Sequence, residues 1–228
     1  MDYVIDPPPV PSLPVRGAPA RFPVRRVYCV GRNYAAHAIE MGHDPDREPP
    51  FFFQKNPDNL VPGGGNISSP PQTADLHHEI ELVAVLGAGG RDIDQDSALE
   101  CVWGYVVGID LTRRDLQGEA KKMGRPWEVG KAFEMSAPCS AIVPAGDIGH
   151  PDSGTIHLDV NGERRQDGDL NQLIWKLPEV IAHLSRLFTL APGDLIFTGT
   201  PAGVAAVGPG DRLEGAIEGV GEISVVIT

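Results

Sequence analysis

The sequence predicts an α+β fold that is mainly β, because short segments with strand patterns outnumber those with helical periodicity. A second observation is that 27 glycines and 22 prolines punctuate the chain between these segments. A third is that 41% of the 228 residues are hydrophobic, enough to bury a substantial core. No repeat or low-complexity linker follows residue 25, so we expect a single domain from there onward.

The first 25 residues are rich in proline and predict a separate N-terminal arm. Its prolines are Pro7, Pro8, Pro9, Pro11, Pro14, Pro19 and Pro23. This density excludes a helix or a central strand, because proline has no backbone N–H to donate. We therefore expect residues 1–25 to form an extended arm on the surface or a small lobe, and residues 26–228 to form the main domain.

Two strands and one short helix are predicted next. The strands cover residues 26–31 and 51–55, and the helix covers residues 34–42. Glycines and prolines flank this helix and leave it few obligatory contacts. We therefore expect residues 32–50 to form a lid.

The helix of the predicted lid carries a pair of residues that can act together. Asn33 is a suitable N-cap and Gly42 a suitable stop. Within the helix His37 and Glu40 lie three residues apart, so they meet on one face. A carboxylate beside an imidazole can orient it for proton transfer.

The segment 76–87 alternates charged and apolar residues before it becomes wholly apolar, which predicts a strand. Glu79 and Glu81 would share one face of that strand, with Ile80 packed behind them. Two adjacent carboxylates repel, so they need a raised pKa, a cationic partner or a metal ion. The preceding His77 and His78 are predicted to support the site or to be structural.

The chain between residues 94 and 124 predicts a helix, a strand and a second helix. The first helix spans 94–102, and the buried strand 104–112 carries Asp110 near its end. Residues 113–123 form a short exposed helix or lid that stops at Gly124. Its cations Arg113, Lys121 and Lys122 are predicted to be a solvated face, and Trp127 is the tryptophan nearest to Lys131 in the sequence.

The remaining elements are a hairpin, a helix and two closing strands. The hairpin spans residues 155–165 around Asn161-Gly162, the preferred type I′ pair. The helix spans residues 178–190, with a predicted apolar stripe formed by Val180, Ile181, Leu184, Leu187 and Phe188. The closing strands cover residues 194–198 and 222–227.

Charge and cysteine content exclude several classes of protein. A formal net charge of −12 without a basic stripe argues against nucleic acid as a partner. Three widely spaced cysteines without a Cys-x-x-Cys pair argue against a disulfide framework or a zinc knuckle. No apolar run reaches about 18 residues, and no signal-peptide pattern is present, so we expect a cytoplasmic protein without membrane contact.

Three carboxylates on otherwise apolar strands predict a metal site: Glu79, Glu81 and Asp110. A buried carboxylate without a partner is costly, so each needs a compensating cation. Hard oxygen ligands without ligand-like cysteine or histidine favour Mg²⁺ or Mn²⁺, with Ca²⁺ as an alternative and Zn²⁺ disfavoured. Three protein ligands leave coordination positions for substrate or water, which is typical of a catalytic site.

Five motifs in order resemble the fumarylacetoacetate hydrolase family, in particular its acylpyruvase and fumarylpyruvate hydrolase branch. They are Gly31-Arg32-Asn33-Tyr34-Ala35-Ala36-His37, His77-His78-Glu79-Ile80-Glu81-Leu82, Gly108-Ile109-Asp110-Leu111-Thr112 with Arg114-Asp115, Lys131, and Gly193-Asp194-Leu195-Ile196-Phe197-Thr198-Gly199-Thr200-Pro201-Ala202-Gly203-Val204. The resemblance covers residues 26–228. It implies a mixed β-sandwich or roll of that family's C-terminal domain type, with short helices, and a homodimer.

The resemblance also implies a role for individual residues. Glu79, Glu81 and Asp110 match the metal ligands, and His37 with Glu40 matches a dyad that activates water. Lys131 matches a lysine beside the metal site. The predicted substrate contacts are Arg32, Tyr34, Arg114, Gln117 and Thr200.

The implied activity is metal-dependent hydrolysis of acylpyruvates, with fumarylpyruvate first among the substrates. One alternative keeps the metal site but decarboxylates oxaloacetate, or isomerises or decarboxylates a hydroxymuconate-type acid. Another alternative is a binding protein that uses metal only for stability, which the dyad and the open coordination positions disfavour. The distant carboxylate of fumarylpyruvate would be received by Arg114 or Arg32.

Overall fold

The computed structural model describes residues 2–35 and 49–228. The helix predicted at 34–42, with the His37–Glu40 pair and most of the predicted lid, lies largely outside these residues. The strands, in chain order, are β1 Ser12–Val15, β2 Ala18–Pro23, β3 Arg26–Gly31, β4 Phe51–Lys55, β5 Leu60–Pro62, β6 Gly65–Ile67, β7 Leu76–His77, β8 Ile80–Leu86, β9 Val102–Ile109, β10 Thr112–Arg113, β11 Ala137–Cys139, β12 Val143–Pro144, β13 Thr155–Val160, β14 Glu163–Asp169, β15 Asp194–Phe197, β16 Ala206–Val207, β17 Arg212–Ile217 and β18 Gly221–Ile227.

Helices are few and short in the described part of the chain, as predicted for a mainly β protein. Within residues 2–35 and 49–228 the α-helices are α1 Arg114–Met123, α2 Glu128–Lys131, α3 Ala145–Ile148 and α4 Leu177–Leu187. The 3₁₀ helices of the same residues are Pro57–Asn59, Gln95–Cys101 and Leu170–Gln172. No helix within residues 2–35 and 49–228 is long and apolar enough to cross a membrane.

Two curled sheets form the body of the molecule. The larger has the strand order β4-β3-β15-β8-β9-β11-β5, with β12 also paired to β9. The smaller has the order β14-β13-β17-β18-β6. A short three-stranded ribbon, β10-β7-β16, lies beside them. This arrangement confirms the predicted mixed β-sandwich or roll.

The larger sheet is covered on both faces, as its strand β8 shows. All seven of its residues are buried. Ile80 and Leu82 belong to the main hydrophobic cluster, which includes residues of the smaller sheet and α4. Val83 and Val85 face the opposite way and belong to a second cluster. Because alternate residues of a strand point to opposite faces, the apolar run from Leu82 to Leu86 in β8 fits a strand buried on both sides.

The N-terminal arm covers the second face of the larger sheet. Strands β1 and β2 pair as an antiparallel hairpin. Leu13 is fully buried in the second hydrophobic cluster, and Arg16 N donates to Ile142 O at 2.8 Å. The prolines exclude a central strand, as predicted, but they are compatible with this separate two-stranded hairpin.

Four predicted elements differ from the observed ones. The strand predicted at 76–87 is split into β7 and β8, and the strand predicted at 104–112 is split into β9 and β10; in each case the two parts belong to different sheets. The helix predicted at 94–102 is a 3₁₀ helix, and its buried residues Ala98 and Cys101 are three apart, which suits three residues per turn. Leu187, assigned to the apolar stripe of α4, is 62% exposed because the helix ends there.

The local predictions with the strongest turn and cap signals are confirmed. Asn161 and Gly162 have φ values of 53° and 80°, as the type I′ hairpin requires. Helix α1 ends at Gly124, whose φ of 62° is left-handed. Strand β17 was not predicted, because its sequence Arg-Leu-Glu-Gly-Ala-Ile resembles a glycine-containing loop.

Candidate active site

The three predicted acidic ligands meet at one end of the larger sheet. Glu79 immediately precedes β8, Glu81 lies within it, and Asp110 immediately follows β9. These strands are antiparallel neighbours, and Asp110 N donates to Glu79 O at 2.8 Å. One carboxylate oxygen from each residue lies within 4.8 Å of the other two, and all three residues are buried. We call Glu79, Glu81 and Asp110 the acidic triad.

Lys131 binds two members of the acidic triad. Its Nζ donates to Glu79 Oε2 at 2.7 Å, to Asp110 Oδ2 at 2.6 Å and to Thr112 Oγ1 at 2.7 Å. Only 2% of the residue is exposed. Burial opposes its charge, but Asp110 and Glu79 raise the pKa of Lys131 above its ordinary value. The ammonium therefore stays protonated beside the triad.

The position of Lys131 depends on close packing between α1 and α2. A Cβ added at Gly130 would lie 2.9 Å from Gln117 N and 3.0 Å from Gln117 Cα. Both are backbone atoms of α1, so no side chain could rotate out of the way. Glycine at this position therefore allows the two helices to approach closely enough to place Lys131 against the triad.

Lys55 is a second buried cation, which the sequence analysis did not identify. Its Nζ lies 2.8 Å from Asp110 Oδ1 and donates to Leu111 O at 3.2 Å and to Lys131 O. The side chain has no exposed surface. The sequence signal was a lysine at the end of an apolar strand, Phe51–Lys55, where a charge needs a partner.

Arg114 lies in the first turn of α1 and is tied to the triad. Its guanidinium donates to Glu79 Oε1, to Gln117 Oε1 at 2.8 Å and to His77 Nδ1 at 3.3 Å. His77 Nε2 in turn lies 2.9 Å from Asp75 Oδ1. Arg114 therefore links a carboxylate of the triad to α1 and to β7, so a large part of its donor capacity is already used.

Gln166 is a second residue that the sequence analysis missed. Its Oε1 accepts from Ile80 N at 3.0 Å and contacts His78 Nδ1 at 2.9 Å, while its Nε2 donates to Thr200 Oγ1 at 2.8 Å. Because Oε1 can only accept, His78 Nδ1 must donate. Burial lowers the pKa of His78, which agrees with a neutral ring. Gln166 thus joins the start of β8 to the loop that carries Thr200.

The electrostatics of the triad fit a divalent cation. Burial, followed by the charges of Asp110 and Glu79, raises the pKa of Glu81 well above its ordinary value. Glu81 Oε2 also accepts from Gly199 N at 2.7 Å. Three converging carboxylates supply hard oxygen ligands, and a divalent ion would relieve their repulsion. The donor set therefore fits Mg²⁺ or Mn²⁺.

A cavity opens above the triad, and most predicted substrate contacts line it. Arg32, Arg114, Gln117 and Thr200 lie in its wall, together with the triad and Lys131. Tyr34 is 1% exposed and is not among the described lining residues. Burial and the charge of Glu81 raise the pKa of Tyr34, so its hydroxyl remains protonated. His37 and Glu40 lie outside the described residues.

Lys121 was predicted to belong to a solvated face, and this prediction is wrong. It lines the cavity and is half-buried, whereas Lys122 is exposed. Its ammonium lies 4.8 Å from the centroid of the Trp127 ring, within the range of a cation–π contact. Burial, followed by the charges of Arg114 and Arg32, lowers the pKa of Lys121 to about 8. Trp127 itself packs edge-on against Phe51.

Comparison with known proteins identifies the family to which the chain is similar. The family model described as fumarylacetoacetate (FAA) hydrolase C-terminal matches residues 26–228. A crystal structure of fumarylpyruvate hydrolase from Pseudomonas aeruginosa, in complex with Mn²⁺ and pyruvate, is 54% identical with a TM-score of 0.98. The alignment covers 100% of this chain and 99% of the Pseudomonas aeruginosa chain.

Two curated relatives carry different activities in their names. A fumarylpyruvate hydrolase from Ralstonia sp is 44% identical over 189 residues, which is 82% of this chain and 98% of the relative. A mitochondrial oxaloacetate decarboxylase from Dictyostelium discoideum is 41% identical over 196 residues, which is 86% of this chain and 90% of the relative. Because the family model matches from residue 26 to residue 228 and the relatives align over most of their length, this chain belongs to the fumarylacetoacetate hydrolase family.

Proposed function

We propose that this protein is a divalent-metal-dependent hydrolase of acylpyruvates, which converts fumarylpyruvate and water into fumarate and pyruvate. The observation that carries the proposal is a buried acidic triad that opens into a cavity lined by cationic side chains. A carboxylate-lined metal site binds a dioxo acid through its oxygens, and a cationic wall suits an anionic substrate. The similarity to fumarylpyruvate hydrolases supports this choice of substrate.

Glu79, Glu81 and Asp110 would hold the metal, either Mg²⁺ or Mn²⁺. An ion bound there would supply a Lewis acid that stabilises the negative charge developing on the substrate. The protein contributes a fixed ligand geometry. Lys55 and Lys131 hold the two oxygens of Asp110 from opposite sides, at 2.8 and 2.6 Å, so this carboxylate cannot rotate freely.

Water activation is assigned to His37 with Glu40, both of which remain predictions from the family resemblance. His37 would remove a proton from the attacking water, and Glu40 would orient its ring. The water oxygen bonds to the acyl carbon, and the bond from that carbon to the methylene carbon breaks. Its electron pair forms the pyruvate enolate, which takes up a proton at the methylene carbon to give pyruvate.

Lys131 would add positive charge beside the developing enolate. Its ammonium is held by Glu79, Asp110 and Thr112, so it is preorganised and needs no rearrangement during the reaction. Gln117 and Thr200, both in the cavity wall, would orient the substrate. A role for Tyr34 would be indirect because it is buried.

The decisive experiment follows the absorbance of fumarylpyruvate during incubation with the purified protein and Mn²⁺ or Mg²⁺. We expect turnover by the wild type and loss of turnover in a chelated sample. The His37→Ala variant should lose at least about 100-fold in kcat, the usual size of a general-base contribution. Wild-type protein that leaves fumarylpyruvate intact with either metal would refute the proposed substrate.

Decarboxylation of oxaloacetate is the second candidate, because a relative with 41% identity carries that name. It also forms a pyruvate enolate, so the same triad would serve both reactions. The products distinguish them: hydrolysis releases fumarate with pyruvate, and decarboxylation releases carbon dioxide with pyruvate. We also propose a homodimer on the basis of the family resemblance, which light scattering of the purified protein would test.

A further inference from the structure

One wall of the cavity contains a helix face with three polar residues. Arg114, Gln117 and Lys121 lie at i, i+3 and i+7 of α1, so they form a row along one side of that helix. All three line the cavity. Lys122, the next residue, is exposed. The helix therefore turns one of two adjacent lysines toward the cavity and the other toward solvent.

The cations Lys131, Arg114 and Lys121 of the cavity wall differ in their binding partners. Lys131 binds Glu79 and Asp110, and Arg114 binds Glu79. Lys121 has an aromatic contact instead, with its ammonium 4.8 Å from the Trp127 ring centroid. Within residues 2–35 and 49–228 it forms no hydrogen bond or ion pair with a carboxylate. Its ammonium therefore has donor capacity for a ligand.

Lys121 lies in a locally positive part of the cavity. Repulsion by Arg114 and Arg32 adds to the effect of burial and lowers the pKa of Lys121 to about 8. An anion bound there would relieve this repulsion, and the half-buried setting strengthens the attraction compared with bulk water. Trp127 provides a flat wall against which an unsaturated chain can lie.

We propose that Lys121 determines substrate specificity by binding the distal carboxylate of a dicarboxylate substrate. The inference rests on the proposed function, in which the oxo-acid end of fumarylpyruvate lies at the acidic triad. The opposite end then extends along the wall formed by α1 and Trp127. Arg114 is largely committed to Glu79, so Lys121 replaces it as the main receptor of the far carboxylate.

The test compares two substrates that differ in the distal carboxylate. Fumarylpyruvate has it, and acetylpyruvate lacks it. We expect Lys121→Met to lower kcat/KM for fumarylpyruvate by about 10- to 100-fold, as for loss of a charge-assisted hydrogen bond. The value for acetylpyruvate should change by less than about twofold on the same grounds. Lys121→Arg should retain most of the preference, because it keeps the charge.

Lys122→Met is the matched control, since it removes an exposed lysine from the same helix. It should leave both substrates unaffected, and thermal unfolding should show that all variants are folded. Equal losses of Lys121→Met on both substrates, or no loss on fumarylpyruvate, would overturn the inference. If the wild type hydrolyses neither acid, the proposed function fails. Calorimetric binding of the same two acids to wild type and Lys121→Met then decides the inference by itself.

Discussion

At the scale of single residues, the site depends on charged groups that are largely or fully buried. Lys55 and Lys131 neutralise Asp110 from both sides, and Arg114 neutralises Glu79. Burying such charges is favourable only when each has a close partner. These contacts give Lys55, Lys131 and Arg114 a structural role in addition to any role in the reaction.

Lys55→Met should destabilise the fold strongly. The variant leaves Asp110 Oδ1 and the carbonyl of Leu111 without their lysine partner in a buried environment. We expect a loss of about 3 kcal/mol in the free energy of unfolding, measured by urea titration. Lys122→Met serves as the exposed control and should change it by less than about 0.5 kcal/mol. A change of similar size in both variants would show that the buried ion pair contributes no net stability.

The lowered pKa of Lys121 predicts a pH dependence of substrate binding. An ordinary lysine stays charged to about pH 10, whereas Lys121, with a pKa of about 8, loses its proton earlier. The KM for fumarylpyruvate should therefore rise as the pH increases through 8. Arg114, Arg32 and Lys131 act against its charge, and Glu79 supports it.

A Lys121→Arg variant isolates this effect, because arginine stays charged throughout the range. Its KM for fumarylpyruvate should be flat between pH 7 and pH 9 if Lys121 is the titrating group. Since the substitution leaves His37 and Glu40 unchanged, the comparison isolates the contribution of Lys121. A rise in KM that persists unchanged in Lys121→Arg would assign the titration elsewhere.

At the scale of secondary structure, the site is assembled where regular elements end. Glu79 precedes β8, Asp110 follows β9, and Lys131 is the last residue of α2. The ends of strands and helices can carry polar groups that the interior of a sheet cannot accommodate. The close contact between α1 and α2 then places Lys131 in its buried position against the acidic triad.

Two glycine substitutions test that contact. Gly130→Ala places a Cβ about 2.9 Å from Gln117 N, so α1 and α2 must separate. We expect a loss of about 1–3 kcal/mol in stability and a weaker affinity for Mn²⁺, measured by calorimetry. Gly118→Ala adds a Cβ to α1 with no atom within 4 Å. It should stabilise the protein by up to about 1 kcal/mol, because alanine favours helix. Equal stabilisation by both would refute the packing argument.

At the scale of the whole molecule, the two sheets bring distant parts of the chain to one cavity. Gln166 precedes α4 in the sequence and Thr200 follows it, yet Gln166 Nε2 donates to Thr200 Oγ1 at 2.8 Å. A ligand that binds only the folded chain stabilises it by mass action. Metal binding should therefore be visible in global unfolding as well as in turnover.

Addition of Mn²⁺ should raise Tm in a concentration-dependent way, and a chelator should reverse the rise. At a free metal concentration 100 times Kd, the expected stabilisation is about 2.7 kcal/mol. Glu81→Gln removes one of the proposed carboxylate ligands and should reduce the rise. The exposed Glu222→Gln substitution should leave it unchanged. A Tm that does not respond to Mn²⁺ or Mg²⁺ in the wild type would contradict metal binding by the triad.

The sequence by itself determined the features that depend on neighbouring residues. Periodicity located β3 and β4 to the residue, and turn chemistry located the hairpin at Asn161. The acidic residues were evident because Glu79, Glu81 and Asp110 break apolar runs, and a buried charge requires a partner. Their convergence was an expectation from the family resemblance, which the geometry agrees with.

Only the tertiary structure showed that Lys55 and Gln166 belong to the site. Lys55 is 55 positions from Asp110, and Gln166 is 86 positions from Ile80, so no local pattern relates them. Lys121 and Lys122 are adjacent and chemically identical, but helical geometry and the packing of α1 turn only Lys121 toward the cavity. Local patterns specify elements because they depend on backbone geometry within a few residues. Site electrostatics depend instead on distances in space, which are fixed only when the elements pack.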